Sequence, residues 1–309
     1  MSTTSKSPRT VALVALKVGR RTLPTYAHRF SPKTYTQHQL FACLALKTFF
    51  QTDYRGIVAI LADCPDLCRV LELEKIPHFT TVQKASQRLL RLAVGRKLLD
   101  SSLEVAMGRH KRIELAAMDS TGLESGHVSS YFVKRRSREP DLWQTTQYTR
   151  YPKLGIVCDC RSHLILSTMT RRGPTPDVDQ FRKTLLPLLG TVKIRHLVAD
   201  AGYDSESNHE FARDVHGIRT TIPATHGRPT DKLPRGRYRR LMKQRFDEER
   251  YGQRWQVETV ISMIKRNLGS ALRARKYWSQ CREMMLLALT HNIMVIRRAH
   301  GAFLRSMSG

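Results

Sequence analysis

Three acids in this chain stand where chemistry could be done. Asp119 ends the apolar run RIELAAM and is followed by STG; Asp200 ends the apolar run IRHLVA and is followed by AGYDS. In open α/β sheets reactive groups collect at the carboxyl ends of strands. Two aspartates in such matching contexts are therefore expected side by side on neighbouring strands. Carboxylates held close together repel unless a cation separates them. A hard divalent ion such as Mg2+, which takes oxygen ligands, is the natural separator. Taken singly, each aspartate could equally be a turn or capping residue.

The third acid is Glu258, inside YGQRWQVETVISMIKRNL, residues 251–268. At about 100° per residue, Tyr251, Arg254 and Lys265 fall within about a sixth of a helix circumference around Glu258, while Val257, Val260 and Ile264 point the other way. On its own, an exposed Arg254–Glu258 pair four residues apart is worth only about 0.3 kcal/mol. Joined to the two aspartates, Glu258 completes three oxygen ligands for a two-metal site. There one ion activates a water or hydroxyl, and the other stabilises the leaving oxygen of an in-line displacement at phosphorus. Its cationic neighbours, Arg266 included, would grip the flanking phosphates.

The elements that must position these residues change character along the chain. Residues 1–30 read as a basic arm. Residues 31–111 read as a helical DNA-binding domain: QLFACLALKTFF carries an apolar stripe, and HFTTVQKASQRLLRLA is an amphipathic helix with Thr80 or Thr81 as its cap. Residues 80–92 are the expected groove-reading helix. From residue 112 the period becomes that of strands. KLGIVCDC and HLILSTMT form a hairpin around Arg161-Ser162, and VDQFRKTLLPLLG and SESNHEFARDVHG are helices, the latter closed by Gly217. IRTTIPA is a short strand. Residues 112–309 are thus expected to be an α/β domain, a mixed sheet flanked by helices, with a basic insertion at about 223–249 and C-terminal helices.

The charge balance points to the partner. The 309 residues carry 53 Lys+Arg against 26 Asp+Glu, a net +27. Such an excess favours a polyanion, above all nucleic acid. It clusters in Lys232–Arg245, which holds seven cations and no acid; Arg237, Arg239, Arg240, Lys243 and Arg245 are candidate phosphate contacts. A second cluster is Lys134, Arg135, Arg136 and Arg138. No apolar run approaches the ~20 residues of a membrane span, and no secretory signal is visible. Six cysteines without paired metal-ligand spacing read as reduced, mostly buried thiols of a cytoplasmic protein. Asp177 reads as a helix cap or as an outer acid near the metals, and Asp204 as a cap. Trp143, Trp255 and Trp278 read as core residues, with stacking on a displaced base as the alternative. His127, His196 and His226 have no ligand spacing.

Tyr251, Arg254, Glu258 and Lys265 match a Tyr-x2-Arg-x3-Glu-x6-Lys signature at every position, and here the chain resembles the DDE transposases of bacterial insertion sequences. MDSTGL (118–123) looks like the family's first motif and DAGYDS (200–205) like its second. The similarity extends from about Ser31 to about Asn292. The resemblance implies a ribonuclease-H-like core with Asp119, Asp200 and Glu258 as the catalytic triad and metal ligands, using two Mg2+ ions with Mn2+ as substitute. It implies that Tyr251, Arg254 and Lys265 contact the transposon end. The activity implied is metal-dependent cleavage at transposon ends and transfer of the freed 3′-hydroxyl into target DNA. The partners implied are double-stranded terminal inverted repeats and target, engaged by a homodimer or larger assembly at the nucleoid. One departure stands out: only 57 residues separate Asp200 from Glu258, and they are basic, where relatives with a β-rich insertion use it to shape the cleaved end. Two alternatives share these features, a structure-selective or repair nuclease on the same fold and a catalytically dead DNA-binding relative.

Overall fold

The computed structural model describes residues 4–109, 111–125, 151–224 and 232–296. Trp143, His127, His226, the Lys134–Arg138 cluster and part of the basic insertion lie outside the described residues.

Six helices lead: α1 (Pro8–Thr22), α2 (Gln37–Phe49), α3 (Tyr54–Asp63), α4 (Pro65–Val70), α5 (Phe79–Leu89) and α6 (Leu92–Met107). The stretch expected to be a basic arm therefore contains a helix. Ser7 caps it, Pro8 opens it, and Val11, Val14, Ala15 and Val18 form a buried stripe at helical spacing against α2 and α6. The cations of this region occupy the opposite face, which is why its composition alone suggested an arm. α2 starts in a capping box between Thr36 and Gln39 and is buried nearly all round, as a central helix must be. α5 begins after His78 with no side-chain cap, so Thr80 and Thr81 lie in its first turn instead of capping it.

The sheet follows: β1 (Arg112–Gly122), β3 (Tyr151–Asp159), β4 (Ile165–Gly173), β5 (Lys193–Ala199) and β6 (Arg219–Thr221), in the order β4-β3-β1-β5-β6. β3 is antiparallel to both β1 and β4, whereas β1, β5 and β6 run parallel. β3 is buried at eight successive positions, the mark of a strand covered on both faces. The expected hairpin is present, and Asp159 shapes its turn by accepting hydrogen bonds from the Arg161 and Ser162 amides. β2 (Glu124–Ser125) and β7 (Ala271–Leu272) make a small parallel pair.

Two helices near the C-terminal end bind the parts together. The Glu258 helix, Trp255–Leu268, packs on β1 and β3; the long helix, Tyr277–Val295, packs on β3, β4, α2 and α6. Buried residues from α1 to the long helix form one continuous core. At its centre Asn292 exchanges hydrogen bonds with the Ile165 amide and carbonyl at 2.8 Å each and donates to Ser102 at 3.0 Å. One side chain thus joins the edge strand of the sheet to α6. Among the described residues no helix is long and apolar enough to cross a membrane. All six cysteines are free thiols, with Cys43, Cys158 and Cys160 buried.

Candidate active site

The parallel register sets the two aspartates. Met118 pairs with Ala199, the last paired positions of β1 and β5, and Asp119 and Asp200 come next on each strand. β1 does not end at Asp119 as expected. It continues to Gly122 along β3, so Asp119 is held inside an antiparallel ladder on one side and freed of β5 on the other. Ser120 donates its amide to Asp119 at 2.7 Å, and Gly202 donates its amide to Asp200 at 3.0 Å. Asp119 is thus oriented by the next amide of its own strand, and Asp200 by the turn that follows it.

The electrostatics place the acids in one field. Burial pushes the Asp119 carboxyl up to about 6, and the charges of Asp200 and Glu258 add to the shift against the opposing Arg254. Burial also raises Asp200, with Asp177 adding and Arg254 and Lys153 opposing. Tyr203 is buried beside Asp177, Asp119 and Asp200; its phenol is raised first by burial and then by these three charges.

Glu258 arrives from the helix side. Val257, Val260, Met263, Ile264 and Leu268 are buried under the helix, as the periodicity requires, and Glu258 stays 53% exposed. Arg254 Nη2 donates to Glu258 Oε1 at 2.6 Å while Nη1 stands 3.7 Å from Asp119 Oδ2. One guanidinium therefore bridges the helix acid and a strand acid. Among the described residues no three His, Cys, Asp or Glu side chains stand close enough together to hold a metal ion as they are placed, and the Arg254 guanidinium lies between two of the carboxylates.

Tyr251 is not on that helix. It belongs to a separate turn, Glu248–Gly252, and the Glu258 helix starts only at Trp255 with Arg254 as its cap. Gln253 follows Gly252 in an αR conformation, as the C-cap of that turn. Arg254 still lies over the Tyr251 ring at 6.0 Å, so the two remain neighbours. Lys265 and Arg266 occupy the helix's last turn, about 10 Å along the axis from Glu258 at about 1.5 Å per residue.

Several other residues have roles the sequence did not reveal. Asp177 caps nothing with its side chain: it accepts from Ser120 Oγ at 2.9 Å and pairs with Lys153 at 2.7 Å, beside the two aspartates. Asp204 is not the cap of the next helix, which Ser205 precedes; its fully buried carboxylate pairs with Arg239 at 2.8 Å. Arg239 is thus anchored inward, and the helix Arg237–Gln244 docks its first amides on Glu206. Arg237, Arg240, Lys243 and Arg245 remain exposed around it. Trp255 and Trp278 are not core residues: they are 53% and 71% exposed. His196 donates to or accepts from Thr221 at 2.8 Å inside the fold, and burial pushes it down to about 4.

The site thus combines two acids just beyond a parallel strand pair with a glutamate-bearing helix packed on the sheet. Residues 110–293 match the family described as the transposase DDE domain, more than half of the chain, and the chain belongs to this family of transposases. Among solved structures it is similar to a piggyBac transposase in a cryo-EM synaptic complex with hairpin DNA, at 8% identity, covering 95% of this chain and 73% of that one, with a TM-score of 0.43. No curated protein sequence matches it.

Proposed function

We propose that this chain is the transposase of a bacterial insertion sequence, built on a ribonuclease-H-like core with a helical DNA-binding domain before it, and that it works in the cytoplasm on the nucleoid. The observation that carries the reading is the register of β1 and β5, which sets Asp119 and Asp200 immediately past Met118 and Ala199, with Glu258 tied to Asp119 through Arg254. The sheet order, with β1, β3 and β4 antiparallel and β5 and β6 parallel to β1, supports the core assignment.

Asp119, Asp200 and Glu258 would hold two Mg2+ ions, or Mn2+ in their place. The donor chemistry fits: three oxygen-bearing carboxylates, of which Asp119 is raised first by burial and then by the charges of Asp200 and Glu258. Such ions, when bound, activate the attacking oxygen and stabilise the leaving one. The chain itself does the rest. The Ser120 and Gly202 amides aim the two aspartates. Lys153 and Ser120 fix Asp177 behind them. Arg254 and Lys265 offer cations on the Glu258 side of the helix for the phosphates of the transposon end, with Arg266 next to Lys265 in the last turn, and Tyr251 lies beside Arg254. Arg237, Arg240, Lys243 and Arg245, exposed on and just after the Arg237–Gln244 helix, would add further phosphate contacts. Water cleaves the phosphodiester at the end of the element, leaving a 3′-hydroxyl and a 5′-phosphate. The 3′-hydroxyl then attacks a target phosphorus, forming a new P–O bond while the target strand's own 3′-oxygen leaves as a 3′-hydroxyl, which joins element to target. Bringing two ends together requires at least a dimer.

Asp200→Asn is expected to abolish cleavage of an end-bearing duplex while retaining its binding. The unaltered chain, given a pre-cut end and a target plasmid, is expected to yield joined product. Cleavage by Asp200→Asn near the unaltered rate sinks the site assignment, and cutting without joining makes the chain a nuclease.

A further inference from the structure

A groove runs between the leading helices and the start of the long helix, apart from the carboxylates. Its cavity of about 360 Å³ is lined by Lys47, Arg273, Arg275, Lys276 and Arg282, and by two acids, Asp53 and Glu283. Both acids are engaged with backbone. Asp53 accepts from the Arg55 and Gly56 amides at 3.0 and 2.7 Å as the cap of α3. Glu283 accepts from the Arg273 and Ala274 amides at 3.1 and 2.9 Å. Five cations against two acids leave the groove strongly positive.

The floor is the more telling part. Lys47 is 8% exposed, makes no ion pair among the described residues, and has its ammonium 5.1 Å from the Tyr54 ring. Burial pushes its pKa down, although the charge of Glu283 opposes the shift. A buried ammonium without a counter-ion is costly, and an incoming anion offsets that cost. The long helix, 19 residues from Tyr277, begins at the same place with no side chain capping its first turn. Uncapped amides and the helix dipole favour an anion there.

The shape selects among anions. A second cavity, of about 530 Å³, shares Lys47, Arg273 and Glu283 with the first and reaches Lys265 on the Glu258 helix. In the other direction the groove meets Gln83 and Gln87 of α5, one helical turn apart. The positive track is therefore extended, from the catalytic helix to α5, as a ligand with regularly repeated phosphates requires and a single small anion does not.

We infer that this groove is a second DNA site, which grips backbone phosphates of a duplex between Lys47 and the Arg275–Lys276 rim and leads that duplex from α5 to the Glu258 helix. The inference rests on DNA being the partner, as proposed above, but not on any cutting of it. Backbone contacts of this kind hold DNA without reading its sequence.

The test uses the full chain and a fluorescein-labelled duplex of arbitrary sequence, titrated by anisotropy through a series of NaCl concentrations. The Arg275→Ala/Lys276→Ala double variant alters only the exposed rim. It is expected to bind about tenfold more weakly, with a log K against log salt slope shallower by about one for each phosphate no longer gripped. Lys47→Met, which keeps the buried stem and removes the charge, is expected to lose affinity in the same way with a melting temperature no lower than that of the unaltered chain. If the unaltered chain binds and both variants match it in affinity and slope, the groove is overturned. A chain that binds through the groove and never cuts removes the transposase reading and leaves the groove standing. A chain that binds no duplex removes both.

Discussion

Asp119 and Asp200 owe their position to the backbone, whereas Glu258 owes its position to one side-chain pair. The strand acids follow a fixed register and each accepts a hydrogen bond from a backbone amide one or two residues on. Asp119 is only 17% exposed, and its carboxyl is lifted to about 6. Glu258 is half exposed on a helix face and is held by Arg254 alone. The sheet therefore supplies preorganisation at an electrostatic cost, and the helix supplies an acid that can turn at little cost. A site that takes DNA and metal ions, as proposed above for these three acids, has reason to keep one of them on such a swivel.

The largest effects should not distinguish the two regions. Asp119→Asn and Glu258→Gln are each expected to slow cleavage on the order of a thousandfold, about 4 kcal/mol at the barrier. A loss below tenfold for Glu258→Gln, in a gel assay with Mg2+, would take the helix acid out of the chemistry. Stability should separate them next. Because the folded Asp119 carboxyl sits above its unfolded value, the fold binds that proton more tightly than the open chain does. Its contribution is fully present below about pH 4 and is lost as the pH rises through about 6. Asp119→Asn should thus be more stable than the unaltered metal-free chain at pH 7, by about 3 kcal/mol, with the gain shrinking toward zero near pH 4. Denaturant melts at both pH values check this, and a gain that grows on acidification breaks the comparison. The smallest effect sharpens it: Glu258→Gln should change stability by no more than about 0.5 kcal/mol, as an exposed pair does.

Much of this site was legible in the sequence because strand-end acids advertise themselves. The runs RIELAAM and IRHLVA end in aspartate, and the register places those residues next to each other. The buried stripe under Glu258 was equally plain from Val257, Val260 and Ile264. What stayed hidden depended on contacts between distant segments. Nothing local distinguishes Asp204 as the buried partner of Arg239, 35 residues on. Asp177 looked like a cap because caps and buried acids share a local pattern, and only folding brings Lys153 and Ser120 to it. The helix interruption between Tyr251 and Trp255 was masked by the continuous apolar periodicity on either side. α1 was missed because its cations outnumber its acids, although its apolar spacing was helical throughout.

The bolt at Asn292 has a consequence of its own. It ties Ser102 of α6 to Ile165 at the sheet's edge, inside a core that α1 to the long helix all share. The leading helices and the carboxylates therefore keep a constant separation, like two marks on a ruler. If the leading helices read sequence and the carboxylates cut, as proposed above, the distance from bound motif to cleaved phosphate becomes a property of the protein. Base pairs inserted between motif and element end would then leave the cut at its original offset from the motif and no longer at the end.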